Sequence, residues 1–299
     1  MKNRYLIAVF AAIVMVGLAA DAKAQTNDML HHVHGLAFSA DGREIVVPSH
    51  LGLAVYADGK WSKAAGPPHD YMGFAASRSG VYASGHPAPD SGLVNPFGLI
   101  RSGDAGRSWT KLGLEGQADF HLLAASYRTD AIYAVSEHPN SRMKSPGIYA
   151  SLNQGFTWQR ALAKGLEGEI AALAVHPDDA KTVAVGTTRG VFLSHDGGAT
   201  FQSVVGGVMV SGVAFDLDSK QLWYGAQTRS EPLLARLDVS AKRSTAVTSP
   251  VARDDAVTYI AQNPAQPAQY AIATARRDVF VTRDRGATWT RIAQHGNPV

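Results

Sequence analysis

The chain has 299 residues, 45% of them hydrophobic and 18% charged, with 29 glycines, no cysteine and a formal net charge of +3. That is too apolar for disorder and long enough for one sizeable β domain or two smaller domains. Without cysteine, disulfides, zinc–thiolate sites, iron–sulfur clusters and a thiol nucleophile are excluded.

In chain order, residues 1–24 read as a secretory signal peptide. Lys2 and Arg4 form its positive start, Tyr5 to Ala20 its short apolar core, and Ala22-Lys23-Ala24 a cleavage site before Gln25. The run is short for a membrane span, and there is no cysteine to carry a lipid. Removing Lys2, Arg4, Lys23 and Asp21 lowers the net charge from +3 to +1. Such a balance supplies no broad basic surface for nucleic acid or anionic lipid. The expectation is an exported protein, periplasmic or secreted, with no membrane span after signal cleavage and residues 25–299 as a single domain.

Six short apolar segments recur along that domain: Gly35–Ser39, Gly73–Ser77, Leu122–Ser126, Ala172–His176, Gly212–Asp216 and Tyr259–Asn263. A second strand is predicted after each, at Glu44–Ser49, Gly80–Gly85, Ala131–Glu137, Thr182–Thr187, Gln221–Ala226 and Tyr270–Thr274. A third, such as Gly190–Ser194, leads into an eight-residue turn, and a fourth leaves it. The turns are Ser102–Trp109, Ser151–Trp158, Ser194–Phe201 and Thr282–Trp289, whose starts are 49, 43 and 88 residues apart. The last gap is twice 44, so a repeat without a recognisable turn is expected near Asp238, and Tyr56–Trp61 reads as a shortened version. A period of 40–50 residues marks propeller blades or another array.

The turn has a local explanation. Its Asp or Asn accepts hydrogen bonds from nearby backbone amides, its Gly takes a positive φ, and its Ser/Thr hydroxyls pair locally. Its Trp or Phe is expected in the sheet core, so Trp158→Ala is expected to cost about 3–5 kcal/mol. Nothing in the turn needs to touch a ligand.

The pattern S-x-D-x-G-x-T-W resembles the Asp-box (BNR) repeat of sialidases, sortilin-like receptors, xyloglucan-cleaving glycosidases and the photosystem II assembly factors. The likeness covers about residues 30–295. It implies an all-β propeller of four-stranded antiparallel blades. Six blades fit the period and seven would follow if a weak blade were missed. It does not imply one activity, because these families share the turn and differ in chemistry.

Function in a propeller collects at the channel mouth, on loops carried by rigid blades. The residues just before the innermost strands are His34, Met72, His121, Ala171, Ser211 and Thr258. Two residues earlier, on the same side of an extended chain, stand His32, Asp70, Asp119, Glu169, Met209 and Ala256. The second strands end at His50, His86, His138, Thr187, Gln227 and Thr274, with His69 and Glu137 adjacent. Seven histidines thus gather in two phases of blades 1–3. Imidazole, carboxylate and thioether groups converging in this way suit a transition metal, copper or zinc. The candidate metal-site residues are His32, His34, His50, His69, Asp70, Met72, His86, His121 and His138. Asp70, Asp119 and Glu137 are placed to orient imidazoles. Loops beginning at His86-Pro87 and His138-Pro139 form a candidate wall.

The resemblance allows other functions. A classical sialidase would need an Arg-Ile-Pro motif and arginines gripping a carboxylate; that motif is absent and no arginine occupies the mouth positions above. A glycosyl hydrolase-like enzyme needs only two carboxylates across a cleft, with Asp70, Asp119, Glu137, Glu169, Asp254 and Asp255 as candidates. A scaffold like the photosystem II assembly factor would bind a protein partner through an arginine patch, and no strand phase here clusters arginine. The balance of these readings is a binding protein for a metal ion or small ligand, with a glycan or protein as alternatives. If it is an enzyme, it is a glycosidase-like hydrolase.

Overall fold

The short apolar runs become strands buried on both faces. In a computed structural model, which describes residues 29–299, they form six antiparallel sheets joined in sequence. The signal-peptide reading of residues 1–24 lies outside the described residues.

Blade 1 comprises β1 (Ala37–Phe38), β2 (Ile45–Ser49), β3 (Gly52–Ala57) and β4 (Lys60–Lys63). Blade 2 holds β5 (Asp70–Ser77), β6 (Gly80–His86), β7 (Leu99–Ser102) and β8 (Thr110–Gly113). Blade 3 holds β9 (Leu123–Ala125), β10 (Ile132–Ser136), β11 (Gly147–Ser151) and β12 (Gln159–Arg160). Blade 4 holds β13 (Ile170–Val175), β14 (Val183–Thr187), β15 (Gly190–Ser194) and β16 (Gln202–Gly206). Blade 5 holds β17 (Met209–Phe215), β18 (Gln221–Gln227), β19 (Pro232–Asp238) and β20 (Arg243–Val247). Blade 6 holds β21 (Val257–Gln262), β22 (Tyr270–Thr274), β23 (Val279–Thr282) and β24 (Thr290–Gln294), with a short fifth strand, β25 (Asn297–Pro298). The protein is a six-bladed β-propeller, and no described residue lies in a helix long and apolar enough to cross a membrane.

The core is divided among the blade interfaces. Leu53, Phe74 and Ile100 pack between blades 1 and 2, while Leu99, Phe120 and Tyr149 pack between blades 2 and 3. The pattern continues around the ring to Phe38, Val47, Ala271 and Val279 between blades 1 and 6. Because each sheet is covered on both sides, β2, β14, β15 and β22 are buried at every residue. That explains why they read as unbroken apolar runs rather than alternating ones. The outer strands β4, β12 and β20 are largely exposed. The ring closes by backbone and side-chain bonds: Leu30 N–H donates to the Gly296 carbonyl (3.0 Å), and Trp61 Nε1–H to that of Ile292 (2.7 Å).

The eight-residue turns have the predicted chemistry. In blade 2 the Ser102 hydroxyl accepts from Gly106 N–H at 2.8 Å and donates to Asp104 Oδ1 at 2.7 Å. Asp104 in turn accepts from Ser108 N–H and from its hydroxyl. The same bonds recur around Asn153, Asp196 and Asp284. The expected degenerate turn is present: Asp238 Oδ1 accepts from Ser240 and Ala241 N–H between β19 and β20. Asp58-Gly59, both at positive φ, forms the shortened turn between β3 and β4.

One expectation is corrected. Phe201 is buried, but Trp109, Trp158 and Trp289 are half-buried. Trp158 lays one face near Phe120, with ring centroids 5.7 Å apart. Its truncation therefore costs less than full burial implied.

Hydrogen bonds from Ser108 hold the Asp104 carboxyl down at about 2. Thr200 does the same for Asp196, and Thr282 with Thr288 for Asp284. An acid depressed in the fold stabilises it above the unfolded pKa of about 3.9 and loses that contribution as pH falls through the folded value. Stability is thus expected to drop between about pH 4 and pH 2. Substituting Asn at 104, 196 and 284, as blade 3 already has at Asn153, should flatten that drop in acid-dependent urea melts. An unchanged slope would refute the assignment.

Candidate functional site

The channel mouth is built by two devices. The first is a bulge in the innermost strand: register shifts fall at Met72 in β5, Ala171 in β13, Ser211 in β17 and Thr258 in β21. A bulge turns its extra residue out of the pairing and lets the strand continue. The inner strands of blades 2, 4, 5 and 6 therefore start two or three residues earlier than the apolar runs indicated. His34 and His121 hold the same phase just before β1 and β9. The second device is the tight turn after the second strand. In blade 1, Ser49 Oγ accepts from Leu51 N–H and donates to the Gly52 carbonyl, which places His50 at the turn.

Below the mouth runs a channel of about 300 Å³, lined by apolar residues including Leu36, Phe74, Leu173 and Val213. His34 and His121 stand on its lining, with Ser211 of blade 5 and Thr258 of blade 6 completing it.

The structure divides the mouth histidines into two sets. In blade 1, His32, His34 and His50 stack in parallel. The centroids are 4.3 Å apart for His32–His50, 4.9 Å for His34–His50 and 5.7 Å for His32–His34, with planes within 8°. One ring nitrogen from each lies within 4.8 Å of the others. The i, i+2 spacing of His32 and His34 on an extended chain produces their alignment, as expected. Asp70 Oδ1 lies 3.9 Å from His50 Nε2. His34 Nε2, His50 Nε2 and Asp70 Oδ1 are all buried without a hydrogen-bond partner.

Burial, reinforced by His50 and His32, pushes the His34 imidazole down to about 4. His32 is also lowered, chiefly by burial and then by His50 and the Arg277 guanidinium. Neutral rings at neutral pH are the form that ligates metal.

In the second set, Asp119 Oδ2 lies 3.1 Å from His86 Nε2 and 3.7 Å from His121 Nε2. His86 ends β6, directly paired with Asp70 in β5. Its Nδ1 is 2.6 Å from Asn95 Oδ1. His121 and Asp119 flank Phe120, whose N–H bonds Ser84 Oγ and whose carbonyl abuts Gly73, a close approach that any side chain at 73 would block.

Three other candidates join neither set. His69 is buried beside Tyr71 and Phe97, and its Nδ1 accepts from Ala88 N–H at 2.9 Å, a structural duty in the loop after β6. His138 is exposed, its carbonyl bound by Ser136 Oγ. Met72 occupies the bulge of β5, half-buried. Among the carboxylates, Glu137 and Glu169 are exposed, Asp254 pairs with Arg276 at 2.6 Å, and Asp255 accepts from Ala256 and Arg276 N–H. Only Asp70 and Asp119 reach the imidazoles.

Asn95 belongs to the loop after His86 that the sequence offered as a candidate wall; its contact with the His86 ring is what no spacing reveals. Arg189, Arg229, Arg276 and Arg277 lie on turns or loops after the second strands of blades 4–6, beside the mouth positions but outside them.

No protein-family model matches the sequence, and neither does any curated protein compared with it. Solved structures do match in fold. A GH74 enzyme of Niastella koreensis superposes with a TM-score of 0.59 at 16% identity, covering 87% of this chain and 45% of that one. An ancestral GH74 enzyme gives 0.55 at 14%, covering 89% and 39%. The chain thus spans less than half the length of these enzymes. YCF48 bound to a D1 peptide gives 0.50 at 15%, covering 89% and 82%. At these identities the likeness shows the shared propeller fold.

Proposed function

We propose that this chain is an exported Asp-box propeller that binds a transition-metal ion, Zn²⁺ or Cu²⁺, at the channel mouth through His32, His34 and His50. The observation that carries it is the convergence of three ring nitrogens within 4.8 Å, with His34 Nε2 and His50 Nε2 buried and unpartnered. A buried polar atom left unbonded costs about 1–3 kcal/mol, a cost that coordination removes. Ligand atoms around a tetrahedral ion lie about 3.3 Å apart for bonds of about 2.0–2.1 Å. Rotation about the broad χ2 wells of histidine supplies the remaining approach. Asp70 then serves as a further ligand or as the acceptor that orients His50.

Two other readings follow from the fold neighbours. A glycosidase-like hydrolase would draw on Asp70 and Asp119, and a scaffold would take a protein partner, as YCF48 takes a peptide. Neither uses the stacked imidazoles.

The test is elemental analysis of the mature protein, secreted and purified without chelator, beside His34→Ala/His50→Ala. The double variant should lose one ion per chain and bind added Zn²⁺ at least about 100-fold more weakly, beyond the 10–100-fold of outer-shell changes. Its circular dichroism should match the parent. Undiminished metal in the folded variant, or none in the parent after Zn²⁺ and Cu²⁺ are restored, would overturn the proposal.

A further inference from the structure

We infer that the rim of the mouth on blades 4 and 5 holds a phosphate-binding cleft, suited to a small phosphorylated polyol such as a sugar phosphate. It uses none of the stacked imidazoles of blade 1.

The arginines of this rim follow a register that the strands define. Two residues past the ends of β14, β18 and β22 stand Arg189, Arg229 and Arg276. The same count after β2, β6 and β10 reaches Leu51, Ala88 and His138, so the guanidiniums gather on blades 4–6. Arg276 is paired with Asp254 at 2.6 Å. Among the described residues, neither the Arg189 nor the Arg229 side chain has an ion pair or hydrogen bond. Both line one open cleft of about 650 Å³, together with Thr188, Gln227 and Glu167. That size is ordinary for a small-ligand site. Two uncompensated guanidiniums in one polar cleft call for an anion.

The backbone of the cleft is anchored. Thr187 Oγ1 accepts from Arg189 N–H at 3.0 Å, and the Arg189 carbonyl accepts from Gly207 N–H at 3.1 Å. Gly190 follows at φ of +148°, with the Val205 carbonyl where a side chain would stand. In blade 5, Thr228 Oγ1 donates to the Glu231 carbonyl at 2.8 Å and accepts from Ser230 N–H at 3.3 Å. Both arginines therefore spring from fixed turns, which lowers the ordering cost of binding.

The donors and acceptors select the ligand. A phosphate monoester carries about −1.5 to −2 charge at pH 7 and offers three oxygens, enough for both guanidinium forks. A carboxylate brings one charge and two oxygens. Thr188 Oγ1 accepts from Glu169 N–H at 3.0 Å and keeps its own proton to donate. Gln227 Oε1 is buried without a hydrogen-bond partner, an acceptor that a ligand hydroxyl would satisfy. Glu167, the one acid of the lining, gives hydroxyls a further acceptor and disfavours a second anionic group.

The experiment uses chelator-stripped mature protein, dialysed free of chelator, and calorimetry with inorganic phosphate, glycerol 3-phosphate, glucose 6-phosphate, glucose and glucuronate. Inorganic phosphate should bind, and at least one ester about 10-fold more tightly, from the added hydroxyl contacts. Glucose should not bind, glucuronate should bind more weakly than the tighter ester, and phosphate affinity should fall as salt rises. Arg229→Gln should weaken the tighter ester about 10-fold, and Arg189→Gln/Arg229→Gln at least about 100-fold. Both positions are exposed, so the melting temperature should hold. Gln227→Leu should weaken the esters and leave inorganic phosphate unchanged.

No binding of inorganic phosphate or of either ester to the folded parent overturns the inference, as does undiminished binding in Arg189→Gln/Arg229→Gln. Glucuronate binding as tightly as the esters overturns the choice of phosphate. Esters no tighter than inorganic phosphate, and unaffected by Gln227→Leu, overturn the polyol and leave a plain oxyanion site.

Discussion

Trp223→Ala should destabilise the protein by about 3–5 kcal/mol, the range for a fully buried large aromatic. Trp223 lies on β18, is 1% exposed, and packs between blades 5 and 6 with Leu234, Ile272 and Phe280. Its ring sits 4.5 Å from that of Tyr270, tilted by 34°, and Arg236 lies over it at 5.4 Å. The turn of blade 6 rests on it at Gly286, where no side chain would fit freely. Deleting the indole leaves a cavity that two rigid sheets cannot collapse to fill, and exposes the buried Tyr270–Asp216 hydrogen bond beside it. In a domain of this size the melting temperature should fall by roughly 10 °C. The half-buried Trp158 sets the contrast, with an expected cost of about 1–2 kcal/mol for its truncation. Urea unfolding of both variants decides the matter; equal losses would mean that burial between blades is not what holds the ring together.

Gly85→Ala should cost about 4 kcal/mol and disable the mouth of blade 2. Gly85 has φ of +143°, a conformation that strains any side chain by about 1–3 kcal/mol. A methyl there would overlap the Asp70 carbonyl and lie 2.9 Å from Met72 N, adding an overpacking cost of about 1–3 kcal/mol. The clash falls at the bulge that aims the mouth residues. It therefore displaces Asp70 and its paired neighbour His86 together. Calorimetry should show weaker Zn²⁺ binding alongside the lowered melting temperature. Gly92 is the control, with φ of +70° and open space around it, so Gly92→Ala should carry only the strain. If the two variants melt alike and bind alike, close packing at the bulge is not what positions the site.

The fold was legible because a repeat restates its own rule. Four turns with the same Ser/Thr, Asp/Asn and Gly positions, together with strands buried on both faces, leave few alternatives to stacked four-stranded sheets. Even the turn without the motif was placed, at Asp238, by counting. Strand starts were less legible. A bulge breaks period 2, so the residues of β5, β13, β17 and β21 upstream of it drop out of any alternation.

The site was legible in its phases but not in its grouping. His32 and His34 stack because i, i+2 residues of an extended chain share a side, a property of the backbone that spacing alone reports. His50 joins them because the second strand of the same blade ends beside the first. Which histidines meet across blades depends on how far each blade rotates about the channel, and no residue spacing encodes that angle. Hence His86 and His121 gather on Asp119 rather than with His34, while His69, in the right stretch of chain, turns into the aromatic packing around Tyr71. Local patterns thus set the blades, the turns and the face on which polar residues collect, since they depend on backbone geometry within about 45 residues. The choice of partners at the mouth rests on packing between sheets far apart in sequence, and only the closed ring brings them within bonding distance.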